Sequence, residues 1–134
     1  MKKILFALVL LTLMFGASAQ TATTLSLAAG DTLTDAGTSA KTIKITGGYS
    51  GVAVQVTLTK LSGTGAGSVV IQGSNDGSKY TTIGSAYTIT NTSSQSTMFY
   101  VTAPVPVYLK ILATGSGTES VVQTVSFVAR KYQN

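Results

Sequence analysis

The chain has 134 residues, a length that accommodates one domain and a short appendage. It contains no histidine and no cysteine, which excludes His- or Cys-based catalytic triads, the common zinc sites, disulfides and a lipid-modified cysteine. The net charge is +5, but the basic residues are scattered along the chain. Nucleic-acid binding needs a clustered basic face, so it is not predicted.

The N-terminal residues have the organisation of an export signal. Lys2 and Lys3 precede an apolar run over residues 4–15, and small residues follow at positions 16–19. The apolar run is shorter than the roughly 20 residues that a membrane-spanning helix requires. The pattern therefore predicts a signal peptide.

We expect this signal peptide to cover residues 1–19 and to be cleaved between Ala19 and Gln20. A single mature domain over residues 20–134 is then exported to the periplasm, the cell surface or the medium. No permanent membrane anchor remains after cleavage. A retained anchor is the alternative interpretation of the same residues.

Alternation of apolar and polar residues recurs through the rest of the chain and predicts β-strands. The predicted strands cover residues 24–27, 42–46, 52–59, 69–74, 80–90, 98–101, 107–112 and 121–130. Gly84 is expected to break or bulge one of them. Both faces of the last strand are fairly apolar, which predicts that it is covered on both sides.

Polar and proline-containing stretches separate the predicted strands. Residues 30–40 and 91–96 are interpreted as polar connections, and Pro104 with Pro106 marks an edge or a connection. Eight or nine short strands joined by turns predict an all-β fold without a second domain. The predicted architecture is an antiparallel β-sandwich, Ig-like or jelly-roll-like, with a flattened barrel as the alternative.

Asn75, Asp76 and Gly77 form the clearest turn signal in the chain. These residue types tolerate the positive φ that tight hairpin turns need. Calcium loops use similar residues, but the further carboxylates of such a loop are missing here. We therefore predict a hairpin turn at these residues, with no metal site and no cofactor.

The pattern of acidic residues does not indicate a catalytic site. The chain has four of them, and Asp31 with Asp35 is the only pair close in sequence. Both lie in a turn-rich stretch, where capping of local turns explains them without a catalytic role. No residue pattern indicates a serine activated by a lysine. The protein is therefore predicted not to be an enzyme.

Tyrosines are the residues most suited to recognition, because each combines apolar area with a hydroxyl group. Tyr80, Tyr87, Tyr100 and Tyr108 are the candidate partner contacts. Tyr108 lies opposite the apolar residues of its strand and is expected to face outward. The alternative for each is a half-buried place in the core or at the sheet rim.

Residues 49–131 contain several features in a characteristic order. A Gly-rich loop leads to the sequence VVIQGSNDGSKY over residues 69–80, then to VYLKI over residues 107–111, a Gly-Ser-Gly turn and a last strand that ends in charge. This order resembles small β-sandwich modules of tailed-bacteriophage virion proteins, which decorate capsids or form parts of fibres. Tyr80 and Lys110 stand where the phage-type pattern usually has tryptophan and arginine. The same Ser-Asn-Asp-Gly hairpin also occurs in discoidin-like carbohydrate-binding domains.

These features favour a non-enzymatic, exported surface structural or adhesion module, and the resemblance implies a phage-type virion decoration or fibre component as one form of it. One alternative is a secreted carbohydrate-binding module. Another is a self-assembling fibre subunit in which residues 21–33 donate a strand to the exposed sheet edge of a neighbour. The expected partner is a protein or glycan surface, at the cell exterior or on a virion, and a homo-oligomer is compatible with each function.

Overall fold

The computed structural model describes residues 32–131 as two antiparallel β-sheets, which confirms the predicted β-sandwich. The strands are β1 (Thr32–Thr34), β2 (Thr38–Lys44), β3 (Tyr49–Ser62), β4 (Gly67–Ser74), β5 (Thr81–Ile89), β6 (Ser94–Thr102), β7 (Tyr108–Gly115) and β8 (Ser120–Lys131). The first sheet has the order β1-β8-β3-β6, and the second has the order β2-β7-β4-β5. The predicted signal peptide, the Ala19–Gln20 cleavage site and strand 24–27 lie outside the described residues.

Alternate side chains of each strand point between the sheets and form the core. On β3 these are Val52, Val54, Val56 and Leu58, as the alternation predicts. The facing side chains of the second sheet include Val69, Ile71, Leu109 and Ile111. Because β3 pairs with both β6 and β8, it is one of the two inner strands of its sheet.

Two stretches predicted as polar connections contain strands, so those predictions are wrong. Residues 30–40 include all of β1, and β2 already begins at Thr38. Residues 91–96 contain the start of β6 at Ser94. Both β1 and the start of β6 lie at edges of the first sheet, where backbone pairing with one neighbour is enough to order polar residues.

The proposed donor segment, residues 21–33, ends inside the protein's own sandwich. Leu33 belongs to β1, pairs with Val121 of β8 and is only 1% exposed. A strand donated to a neighbour would therefore have to come from residues 21–31, which lie outside the described part of the chain.

Among the described residues the last strand, β8, is covered on one face only, which corrects the expectation that both faces are covered. Its inward residues are buried, whereas Val128 on the outer face is 41% exposed. Within residues 32–131 no helix is long and apolar enough to cross a membrane. On the outer face of the first sheet, Met98, Tyr100 and Val128 are exposed in the described part of the chain.

Candidate functional site

The outer face of the first sheet contains a shallow apolar groove of about 480 Å³. We call it the sheet-face groove and define it by Gly51, Ala53, Tyr100, Val128 and Arg130. Strand register explains its shape, because Ala53 lies directly between Tyr100 on β6 and Val128 on β8. The small side chain in the middle and the larger ones on either side leave a trough along β3.

Tyr100 is the most prominent side chain of the sheet-face groove. It is 73% exposed, although it is a large aromatic residue on a regular strand. Its inward neighbours Phe99 and Val101 are buried, so the strand is firmly held and presents Tyr100 outward. An aromatic side chain on a strand held in this way offers a partner a flat apolar surface, and ordering this side chain on binding costs little conformational entropy.

One end of the sheet-face groove is polar and positively charged. Gly51 of the floor pairs with Thr102 on one side and with Arg130 on the other. Ser50 Oγ donates a hydrogen bond to the carbonyl oxygen of Arg130 at 3.2 Å, which joins the two strand ends. The lining residues include no carboxylate, histidine or cysteine. The arrangement can bind an apolar group beside a neutral or anionic one.

A second concavity, the side cleft, lies along the sandwich edge where β5 faces β6. It has a volume of about 390 Å³ and is lined by Ile83, Gly84, Tyr87, Phe99 and Tyr100, among others. The pairing of β5 with β4 shifts register here, and Gly84 has a φ of 75°. The predicted bulge at Gly84 is therefore confirmed.

The four tyrosines singled out from the sequence do not form one cluster. Tyr100 belongs to the sheet-face groove, and it also borders the side cleft. Tyr87 is partly buried against the core, and its hydroxyl donates a hydrogen bond to Gln95 Oε1 at 3.3 Å. The remaining two, Tyr80 and Tyr108, lie elsewhere on the molecule.

Tyr80 and Tyr108 each contact a lysine ammonium group of the second sheet. Lys110 Nζ is 4.1 Å from the centroid of the Tyr80 ring, and Lys44 Nζ is 5.7 Å from that of Tyr108. Both rings are half-buried. Their faces are engaged by cation–π contacts within the chain, so Tyr100 has the most exposed ring of these four tyrosines.

The hairpin residues Asn75, Asp76 and Gly77 join β4 to β5. Asp76 Oδ1 accepts hydrogen bonds from the backbone N–H of Lys79 at 2.9 Å, the backbone N–H of Ser78 at 2.8 Å and the hydroxyl of Ser74 at 2.8 Å. These bonds, the one from Lys79 foremost, hold the pKa of the Asp76 carboxyl well below its usual value.

The other two turn residues also have structural partners. The backbone N–H of Gly77, whose φ is 75°, donates to Ser74 Oγ at 2.9 Å. Asn75 Oδ1 accepts a hydrogen bond from the backbone N–H of Val107 at 3.4 Å. The contacts of the hairpin therefore stabilise the turn and attach it to the segment before β7.

Sequence reasoning missed a set of buried polar side chains on the inward face of β8 and just before it. Ser39 Oγ donates a hydrogen bond to Gln123 Oε1 at 3.0 Å across the sandwich. Gln123 Nε2 and both carboxylate oxygens of Glu119 are buried without a hydrogen-bond partner among the described residues. The signal was available, because positions 119 and 123 continue the alternation of buried Val121 and Val125.

Comparisons with known proteins identify the fold. No protein-family model matches the chain, and no curated protein matches its sequence. The structure is similar to that of the PBSX exported protein XepA, with a TM-score of 0.60 and 12% identity over 84% of this chain; the match spans only 38% of XepA. It is also similar to a carbohydrate-binding module, CBM4, with a TM-score of 0.51 and 16% identity over 81% of this chain and 79% of that one. At these identities the likeness shows a shared β-sandwich fold.

Proposed function

We propose that the protein is a non-enzymatic, exported surface module that adheres to its partner through the sheet-face groove. The observation that supports this function is the exposure of Tyr100 above a floor of Gly51 and Ala53. A ring exposed to water adds little to the stability of the domain itself. A partner that covers the ring removes its apolar area from solvent. Each Å² of apolar surface removed contributes about 25 cal/mol.

The chemistry of the lining residues indicates the class of partner. Tyr100 and Val128 provide apolar contact, and Arg130 provides positive charge at one end, with no carboxylate in the lining. A neutral or anionic surface with flat apolar patches can contact Tyr100 and Val128 and can also interact favourably with the charge of Arg130. Proteins and glycans of a cell envelope both offer such surfaces.

A direct test is retention of the protein on envelopes isolated from candidate host cells. Replacement of the most exposed ring, Tyr100→Ala, should weaken binding about 10- to 50-fold, as is usual for a central aromatic contact. Ala53→Leu, which fills the floor and leaves Tyr100 in place, should also weaken binding. Tyr80→Ala, in the connection just before β5, is the matched control and should bind like the wild type. Equal binding by all four proteins would rule out the groove.

A carbohydrate-binding module is the second candidate, and the geometry of Tyr100 favours it, since the ring can stack on the apolar face of a sugar. The structural likeness to CBM4 supports the same assignment at the level of fold. Envelopes treated with protease distinguish the two partner classes. Binding that persists on the remaining polysaccharide, and that is lost with Tyr100→Ala, would identify a glycan ligand; binding abolished by protease would identify a protein.

One experiment tests both whether the protein is exported and whether it is a component of virions. The likeness to an exported protein of PBSX supports export, and the resemblance to phage modules supports attachment to virions. Mass spectrometry of purified particles, envelopes and culture medium separates these locations. Recovery in particles at a stoichiometry close to that of capsid protein would indicate a virion component, and recovery in envelopes or medium would indicate a cellular adhesin.

A further inference from the structure

The end of the sandwich opposite the sheet-face groove contains a buried carboxylate. Glu119 precedes β8 and is only 2% exposed, and neither Oε1 nor Oε2 has a hydrogen-bond partner among the described residues. Burial of an unpaired carboxylate is among the most unfavourable events in folding. A compensating positive charge beside this carboxylate would offset that cost.

Three chain segments meet around Glu119. The turn between β1 and β2 is attached by the backbone N–H of Asp35, which donates to the carbonyl oxygen of Glu119 at 2.8 Å. The loop between β3 and β4 is attached by the backbone N–H of Thr118, which donates to the carbonyl oxygen of Thr64 at 3.3 Å. These contacts hold the segments together through backbone atoms and leave the Glu119 side chain enclosed between them.

Two glycines make room for the carboxylate, and each places a backbone carbonyl beside it. A Cβ atom at Gly115 would lie 2.5 Å from Glu119 Oε1 and 2.0 Å from the carbonyl oxygen of Asp35. A Cβ atom at Gly117 would lie 2.4 Å from Glu119 Oε2 and 2.2 Å from the carbonyl oxygen of Thr64. These distances bring one backbone carbonyl oxygen near each carboxylate oxygen of Glu119, an arrangement of negative charge that a cation among the oxygens would offset.

We propose that Glu119, with the carbonyl oxygens of Asp35 and Thr64, forms a site for a divalent cation of the calcium type. Calcium accepts carboxylate and backbone carbonyl ligands in flexible geometry, whereas zinc prefers nitrogen and sulfur ligands. An exported protein meets calcium at concentrations that match sites of modest affinity, with a dissociation constant of about 0.1–1 mM. The bound ion would connect the three segments at this end of the sandwich.

Thermal unfolding with and without metal tests the site. The purified protein is treated with a chelator and dialysed, and its Tm is measured as calcium chloride or magnesium chloride is added. Calcium should raise the Tm of the wild type saturably, by at least about 5 °C at saturation, and magnesium should raise it less. Glu119→Gln keeps the shape of the side chain and removes its charge, so its Tm should not respond to calcium.

A control variant and a direct measurement of bound calcium complete the test of the Glu119 site. Asp76→Asn removes a carboxylate at a different turn and should retain the full calcium response. Equilibrium dialysis of the wild type against calcium, followed by elemental analysis, should find about one ion per chain, a result that does not depend on the folding of any variant. No bound calcium, or an equal Tm response in Glu119→Gln, would overturn the proposal.

Discussion

Truncation of Leu33 to alanine tests whether β1 belongs to the core of this domain. Leu33 is the only buried side chain of β1, and β1 is held by three residue pairs with β8. Leu→Ala substitutions at fully buried sites cost about 2.7–5 kcal/mol, the larger values where the cavity cannot collapse. An edge strand can relax more than a central one, so we expect a loss of about 3 kcal/mol from the free energy of unfolding.

That loss is large for a domain of this size. A change of 1 kcal/mol shifts the Tm of a domain of 60–100 residues by about 4–8 °C, so Leu33→Ala should lower the Tm by about 12–24 °C. Urea denaturation followed by circular dichroism measures the same loss and also gives the slope of the transition, which reports the surface exposed on unfolding. Leu61→Ala is the matched control, because Leu61 is 61% exposed and its truncation should change stability by less than about 0.5 kcal/mol.

The result also separates two roles for the N-terminal residues. A loss below about 1 kcal/mol for Leu33→Ala would mean that β1 contributes little to the core, and would make residues up to Leu33 available for donation to a neighbour. A full loss with an unchanged slope would establish β1 as part of the folded monomer. In that case a chain that begins after β1 should be strongly destabilised.

Three further substitutions test the buried and turn contacts. Ser39→Ala leaves the amide of Gln123 unpaired at both ends and should cost about 1–3 kcal/mol in urea denaturation, and an equally stable variant would contradict the contact at 3.0 Å. Asp76→Asn should lower the Tm at neutral pH: the pKa of the Asp76 carboxyl is below its ordinary value of 3.8 in the folded state, so its stabilisation is complete above that value and is lost as the pH falls further. The Tm difference from the wild type should therefore be constant from about pH 7 to pH 5 and shrink below about pH 4, and a difference independent of pH would refute this role. Gly77→Ala should cost about 1–2 kcal/mol on thermal unfolding, because its φ is 75° and the new Cβ would lie 3.2 Å from the Tyr108 ring; no loss would mean that the turn adopts another conformation.

The β-sandwich could be predicted because its central strands carry a strong local signal. Val52, Val54, Val56 and Leu58 alternate without exception, and all four are buried. In contrast, β1 has a single apolar residue and is ordered by pairing with β8 from the far end of the chain. A sequence pattern within one segment cannot contain that information, since the stabilising partner is not local.

The candidate site was predictable residue by residue but not as a surface. Tyrosine chemistry was sufficient to select Tyr100, yet it selected Tyr80 and Tyr108 equally, and their rings are engaged by lysines. What distinguishes Tyr100 is the register that places Ala53 and Val128 beside it. Register depends on the pairing of β3 with both neighbours, so the groove emerges only from the assembled sheet.

The length of β8 separates the two proposed sites and makes their tests independent. Glu119 lies just before this strand, and Val128 of the sheet-face groove lies near its end. Nine residues of extended chain place them about 30 Å apart. Glu119→Gln should therefore abolish the calcium response without changing the affinity of a folded protein for envelopes, and Tyr100→Ala should do the reverse. If Glu119→Gln weakened envelope binding while the protein remained folded, the bound cation would have to act on the groove through β8, and the two ends of the sandwich would form one functional unit.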